Sequence, residues 1–142
     1  FKHGVSQRWY DKEHRYRYAE DKHLDLCDAL TEFGAVQKTG FKLDVMSKLI
    51  GLPGKQGIDG SQVEQLFKHG SLDKIETYCA LDTVQTAFVL LRFLLMRGRI
   101  HNLETYRHAA GNLLTACIGI PAFNEFTGAI DQKRLLLEGA TP

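Results

Sequence analysis

The hydrophobic pattern along this chain predicts five or six helices and hardly one convincing strand. The clearest is residues 73–96, "DKIETYCALDTVQTAFVLLRFLLM". At about 100° per residue, Leu72, Ile75, Tyr78, Cys79, Thr86, Val89 and Phe93 share one face, while Asp73, Lys74, Glu76 and Thr77 lie opposite. From Val84 onward the segment is apolar almost all round, which predicts burial on several sides. Ser71 is placed to cap this helix, and Arg97-Gly98 to end it. Upstream, "HLDLCDAL" predicts a short extended lead-in and a helix ending near Gly34, with Asp25 and Asp28 near its start as cap or dipole partner, and the rim of a cleft as the other place for Asp25. "KLDVMSKLIG" reads as a short helix stopped by Gly51, and "SQVEQLFKHG" as one capped by Asp59 or Ser61 and closed by Gly70. Asn102 caps "LETYRHAAGNLLTACI", whose Leu103, Tyr106, Ala110, Leu113, Leu114 and Cys117 form one stripe; Pro121 suits the first turn of a last helix ending near Gly139.

Asp82 breaks this pattern by falling near the middle of an apolar face. An ionised carboxylate out of water costs several kcal/mol unless it is compensated. It must therefore be paired, protonated, metal-bound or turned to a solvent-filled cleft. Tyr78 stands four residues upstream, so both side chains project from the same side of the helix. A hydrogen bond from a neighbouring helix or an ion pair with an arginine accounts for Asp82 equally well at this level.

Composition narrows the function classes. The 142 residues make one domain at most, with 44% hydrophobic and 25% charged residues and a formal net charge of +1. That balance argues against a dedicated basic nucleic-acid binder but leaves room for a local basic cleft. Cys27, Cys79 and Cys117 show neither CxxC nor metal-ligand spacing, and they read as reduced, buried thiols of a cytoplasmic protein. The longest apolar run, Ala87 to Met96, is interrupted by Arg92 and too short to span a bilayer, so no membrane partner is expected. Residues 7–18, "QRWYDKEHRYRY", interleave bases with aromatics, as an exposed loop does and as a single-strand binder does.

Several catalytic motifs are missing. "GLPGKQG" has the glycines and lysine of a phosphate loop without its spacing, there is no HExxH, and no cysteine has a nearby histidine to activate it. The same loop superficially resembles the GxxG clamp of KH domains, but it contains Pro53 and runs on to Asp59 before the next helix. What remains is "YCALD", Tyr78 to Asp82. This spacing suits metal-dependent phosphodiester hydrolysis, with the Asp on a divalent ion and the Tyr one turn earlier beside the attacking water. A two-ion site needs further carboxylates, because two close divalent ions must be neutralised and oriented.

The order "HLDL", then "GLPGKQGIDGSQVEQLF", then "YCALDTVQTAFVLLRFLLMRG" resembles the predicted 3′–5′ exonucleases related to the proofreading domain of family-B DNA polymerases. The resemblance covers most of residues 1–100. It implies an α/β RNase H-like fold with a DEDD-type site in the intact protein. Tyr78 and Asp82 match the third exonuclease motif, Asp82 as metal ligand and Tyr78 as the residue that positions water. It further implies two divalent ions, Mg2+ or Mn2+, and a single-stranded 3′ end as substrate, DNA ahead of RNA. Lys55 in the glycine-rich loop is the candidate contact to a substrate phosphate. The family's first motif, Asp-x-Glu on a buried strand, and its second, an Asp after an Asn-Gly-type loop, do not occur here. Asp11-Lys12-Glu13 has the letters of the first in a polar, basic-aromatic stretch. The chain opens on Phe1 in mid-pattern, so residues 1–142 are expected to be the C-terminal portion of one exonuclease domain, predominantly helical, lacking most of the sheet and inactive alone. Asp82 is then expected to face a cleft whose other wall is absent from this sequence. The rival expectation is a non-catalytic helical module that binds nucleic acid or a partner.

Overall fold

The computed structural model describes residues 24–139, which divide between two units at Phe41 and Lys42. The stretch 7–18, with Asp11 and Glu13, lies outside the described residues. No strand occurs among those described.

In the first unit, α1 (Leu26–Leu30) starts at Asp25, whose carboxylate accepts the Asp28 N–H at 3.0 Å. Asp25 is thus a cap, as its position before the helix predicts. The helix stops well short of Gly34. The Thr31 hydroxyl donates to the Cys27 carbonyl at 2.8 Å, and a 3-10 turn over Glu32–Gly34 follows with Glu32 and Phe33 left-handed. A second 3-10 turn covers Lys38–Phe41.

The second unit holds α2 (Leu43–Leu49), a 3-10 turn at Gly60–Gln62, α3 (Val63–Lys68), α4 (Leu72–Met96) and α5 (Leu103–Ile118). A 3-10 turn at Pro121–Phe123, α6 (Asn124–Gly128) and α7 (Gln132–Leu135) complete it. Local signals set most of these boundaries. Gly98, at φ +67°, closes α4, with its N–H on the Leu95 carbonyl and that of Arg99 on the Leu94 carbonyl. Asn102 caps α5 through the Thr105 N–H at 2.8 Å. Ser71 occupies the cap position of α4 without a side-chain cap bond.

Phe88, Val89 and Phe93 of α4 pack into a core with Tyr106, Ala110, Leu114 and Cys117 of α5 and with Phe123, Phe126 and Leu135 beyond. Each large apolar side chain buried there contributes about 1.5–3 kcal/mol. Burial pushes the Cys117 thiol up from its ordinary pKa.

Three expectations are corrected. First, α4 buries one face, through Gln85, Phe88, Val89 and Phe93, rather than several. It packs on α2, α3, α5 and the Pro121 turn. Second, Leu72, Cys79 and Thr86 are exposed; Cys79 is no buried thiol. Third, the last helix is broken. Asp131 caps a new helix by accepting the Arg134 N–H at 3.1 Å, so α6 and α7 are separate. By length and composition α4, at 25 residues, is also apolar enough to cross a membrane, beyond what the run from Ala87 to Met96 suggests. In the fold it is a packed helix whose Arg92 donates to carbonyls of α7.

Candidate active site

The loop between α2 and α3 carries Lys55, and it is anchored at three places. Ile50 and Leu52 are buried beneath it. Asp44, in the first turn of α2, accepts the Lys55 backbone N–H on Oδ1 at 2.7 Å and the Lys48 ammonium on Oδ2 at 2.9 Å. Those two donors, Lys48 first, hold the Asp44 carboxyl below its usual range. Gly54, at φ +79°, lets the loop pass against Asp44 and Lys48, where a Cβ would collide with both. Further on, Asp59 and Gln62 close a reciprocal capping box: Asp59 accepts the Ser61 N–H at 2.9 Å and Gln62 accepts the Asp59 N–H at 2.8 Å.

Across from this loop stands the N-terminal half of α4. Tyr78 and Asp82 lie one turn apart on its surface, both half-buried. A Cβ at Gly60 would sit 3.5 Å from the Tyr78 hydroxyl oxygen, so the turn that Asp59 caps lies directly over that hydroxyl. Burial, and then the nearby Asp82 carboxylate acting as acceptor, raise the Tyr78 pKa above its ordinary 10.0. Tyr78 is therefore a neutral hydroxyl at physiological pH, able to donate one hydrogen bond and accept others. Lys55 reaches Asp59 with 3.4 Å between Nζ and Oδ2. The charge of Asp59 first, then the charge Tyr78 acquires when it ionises at high pH and, more weakly, that of Asp82, raise the Lys55 pKa above 10.5.

The structure thus brings Lys55, Tyr78 and Asp82 into one electrostatic neighbourhood. Asp59 and Gly60 belong to it as well, although the sequence marks Asp59 only as a helix cap. Its spacing of four residues from Lys55 was the available signal; nothing local marked Gly60 or Asp44, since both contacts join distant elements. Gln85 continues the Tyr78–Asp82 stripe inward and is buried, with its Oε1 unpartnered among the described residues.

The neighbourhood contains a cation, a neutral hydroxyl and a carboxylate. For metal ions it offers little more: among the described residues no group of three or more His, Cys, Asp or Glu stands close enough to hold one. Asp82 fits as one donor of a larger set and does not make a site alone.

Comparison with known proteins decides the family. Residues 2–127 match the family model of predicted 3′–5′ exonucleases related to the exonuclease domain of PolB. The chain belongs to this family. The match takes in the Lys55 loop, Tyr78 and Asp82 together, as the resemblance of the motifs implied. No curated protein and no solved structure matches the chain. The helical architecture of this exonuclease-family chain carries no strand among its described residues. Its family assignment therefore rests on sequence.

Proposed function

We propose that this chain is part of a 3′–5′ exonuclease domain of RNase H-like fold, and that Tyr78, Asp82 and Lys55 act on the 3′-terminal phosphodiester of a single strand, DNA ahead of RNA. The observation that carries this reading is the convergence of Lys55, Tyr78 and Asp82 within a chain that matches the exonuclease family across residues 2–127. Lys55 stays protonated well above neutral pH and supplies a fixed positive charge for a phosphate oxygen. Tyr78 keeps its proton too, so it orients a water by donating to it or accepting from it, and does not abstract a proton as a phenolate.

Asp82 is the metal donor in this reading, with two divalent ions, Mg2+ or Mn2+, completed by carboxylates from outside the described residues. Such ions supply Lewis-acid activation of water and neutralise charge on the phosphorus oxygens. Residues 1–142 are then the C-terminal portion of a single domain, inactive alone because one Asp cannot hold two ions. The cytoplasm is the expected location. The alternative is a helical nucleic-acid-binding module without hydrolysis.

One experiment separates them. Full-length protein is incubated with a 5′-labelled single-stranded oligonucleotide, with Mg2+ and with EDTA. A metal-dependent ladder shortening from the 3′ end is expected; binding without shortening supports the non-catalytic module. Release of nucleotides by the 142-residue chain itself would overturn the incomplete-site argument.

A further inference from the structure

Residues 128–137 lie beyond the last position the family model matches, yet they bear on the loop that carries Lys55. The Asp131 N–H donates to the Gly51 carbonyl at 2.9 Å. Gly51 adopts φ +97°, and a Cβ there would stand 2.7 Å from the Asp131 carbonyl and 3.0 Å from the Leu135 nitrogen. The two backbones touch, and only glycine allows it.

A helix of four residues such as α7 has no stability of its own. It is held by its carbonyls. Arg92 of α4 donates to the Arg134 and Leu135 carbonyls at 3.0 and 2.9 Å and, through Nε, to the Tyr106 hydroxyl at 3.1 Å. The Tyr106 hydroxyl, fully buried, donates in turn to the Leu135 carbonyl at 2.7 Å. Arg107 of α5 holds the next two carbonyls, of Leu136 at 3.0 Å and Leu137 at 2.6 Å. Cations on helix-terminal carbonyls also complement the helix dipole.

We propose that this clasp is a positioning element of the candidate site. Arg92, Tyr106 and Arg107 fix α7; α7 fixes Gly51; and Gly51, through buried Leu52, Pro53 and Gly54, sets where Lys55 stands. The same helix, α4, therefore determines both walls of the site. Its N-terminal half presents Tyr78 and Asp82, and its C-terminal half holds, through Arg92, the turn on which the opposing loop rests. The proposal depends on the exonuclease reading for what Lys55 does, and not for what holds Lys55 in place.

Gly51→Ala and Arg92→Lys in the full-length protein test it by two independent readouts. The first is amide hydrogen exchange. Exchange over residues 52–58 should accelerate by about tenfold in each variant while residues 103–118 keep their protection. Unchanged exchange at 52–58, or equal loss at 103–118, overturns the proposal. The second is a double-mutant cycle with Lys55→Ala, read as kcat/KM on a single-stranded oligonucleotide. Each clasp variant should lose about tenfold in the native background and under twofold once Lys55 is alanine. Equal losses in both backgrounds mean that the clasp does not act through Lys55. Should the full-length protein show no nuclease activity, the exonuclease reading fails and the exchange measurement alone decides the clasp.

Discussion

The N-terminal half of α4 shows Tyr78 and Asp82 to the loop of exposed Lys55, whereas its C-terminal half buries Phe88, Val89 and Phe93 against α5 and the turns beyond. Around the first half, Lys48–Asp44, Lys55–Asp59 and Lys68–Glu64 are ion pairs four residues apart in the chain and open to solvent screening. Around the second, Tyr106, Phe126 and Leu135 are sealed from water, and Phe123 and Phe126 meet edge to face with centroids 6.5 Å apart. One helix thus carries a polar, loosely bound region and a close-packed one. Chemistry and stability should come apart along its length.

The largest effect expected is at Asp82. In the full-length protein Asp82→Ala should reduce 3′–5′ hydrolysis to background while the melting temperature stays within a few degrees, because no buried ion pair is broken. A drop of many degrees, with specific activity of the folded fraction retained, would make Asp82 a structural partner and erase the contrast between the halves.

Tyr78→Phe sharpens the contrast within the polar half. It removes one hydroxyl and keeps the ring. A water-orienting role predicts a fall in kcat on the order of 10²–10⁴-fold with little change in KM. Full activity would leave Tyr78 as packing only.

Phe88→Ala should do the reverse of Asp82→Ala. Phe88 is wholly buried, and truncating such a side chain costs about 3–5 kcal/mol, measurable by urea denaturation. The kcat of the protein that remains folded should be unchanged.

The smallest effect belongs to Asp44. Its pKa is lowered on folding from 3.8, so its contribution to stability is present above that value and lost as pH falls through the lower folded value. Asp44→Asn should therefore flatten the acid side of a melting-temperature profile below about pH 4. It should also quicken exchange of the Lys55 amide, which donates to Asp44. An unchanged acid slope would mean that the loop does not depend on this carboxylate.

Legibility in the sequence followed the range of the interactions. Asn102 before α5 and Gly98 after α4 are local devices, and both were readable from a few residues. Tyr78 and Asp82 were readable as a pair because a helix makes i and i+4 neighbours whatever surrounds it. The exposure of Cys79, Leu72 and Thr86 is not legible in the same way: periodicity tells which residues share a face, and the packing partner decides whether that face is covered. The break between α6 and α7 lay in Asp131, whose capping role the stretch from Pro121 to Gly139 did not make evident. Asp44 under Lys55, Gly60 over Tyr78 and Asp131 on Gly51 join elements distant in the chain, and only the fold reveals them.

The most direct test of the division of labour at the site is Mn2+ binding to the full-length protein by titration calorimetry, compared between the native protein, Tyr78→Phe and Asp82→Ala. The account predicts that Tyr78→Phe binds Mn2+ as the native protein does, despite its lost turnover, and that Asp82→Ala binds with reduced stoichiometry or much weaker affinity. Native binding by Asp82→Ala would contradict the central claim that this carboxylate is a metal ligand.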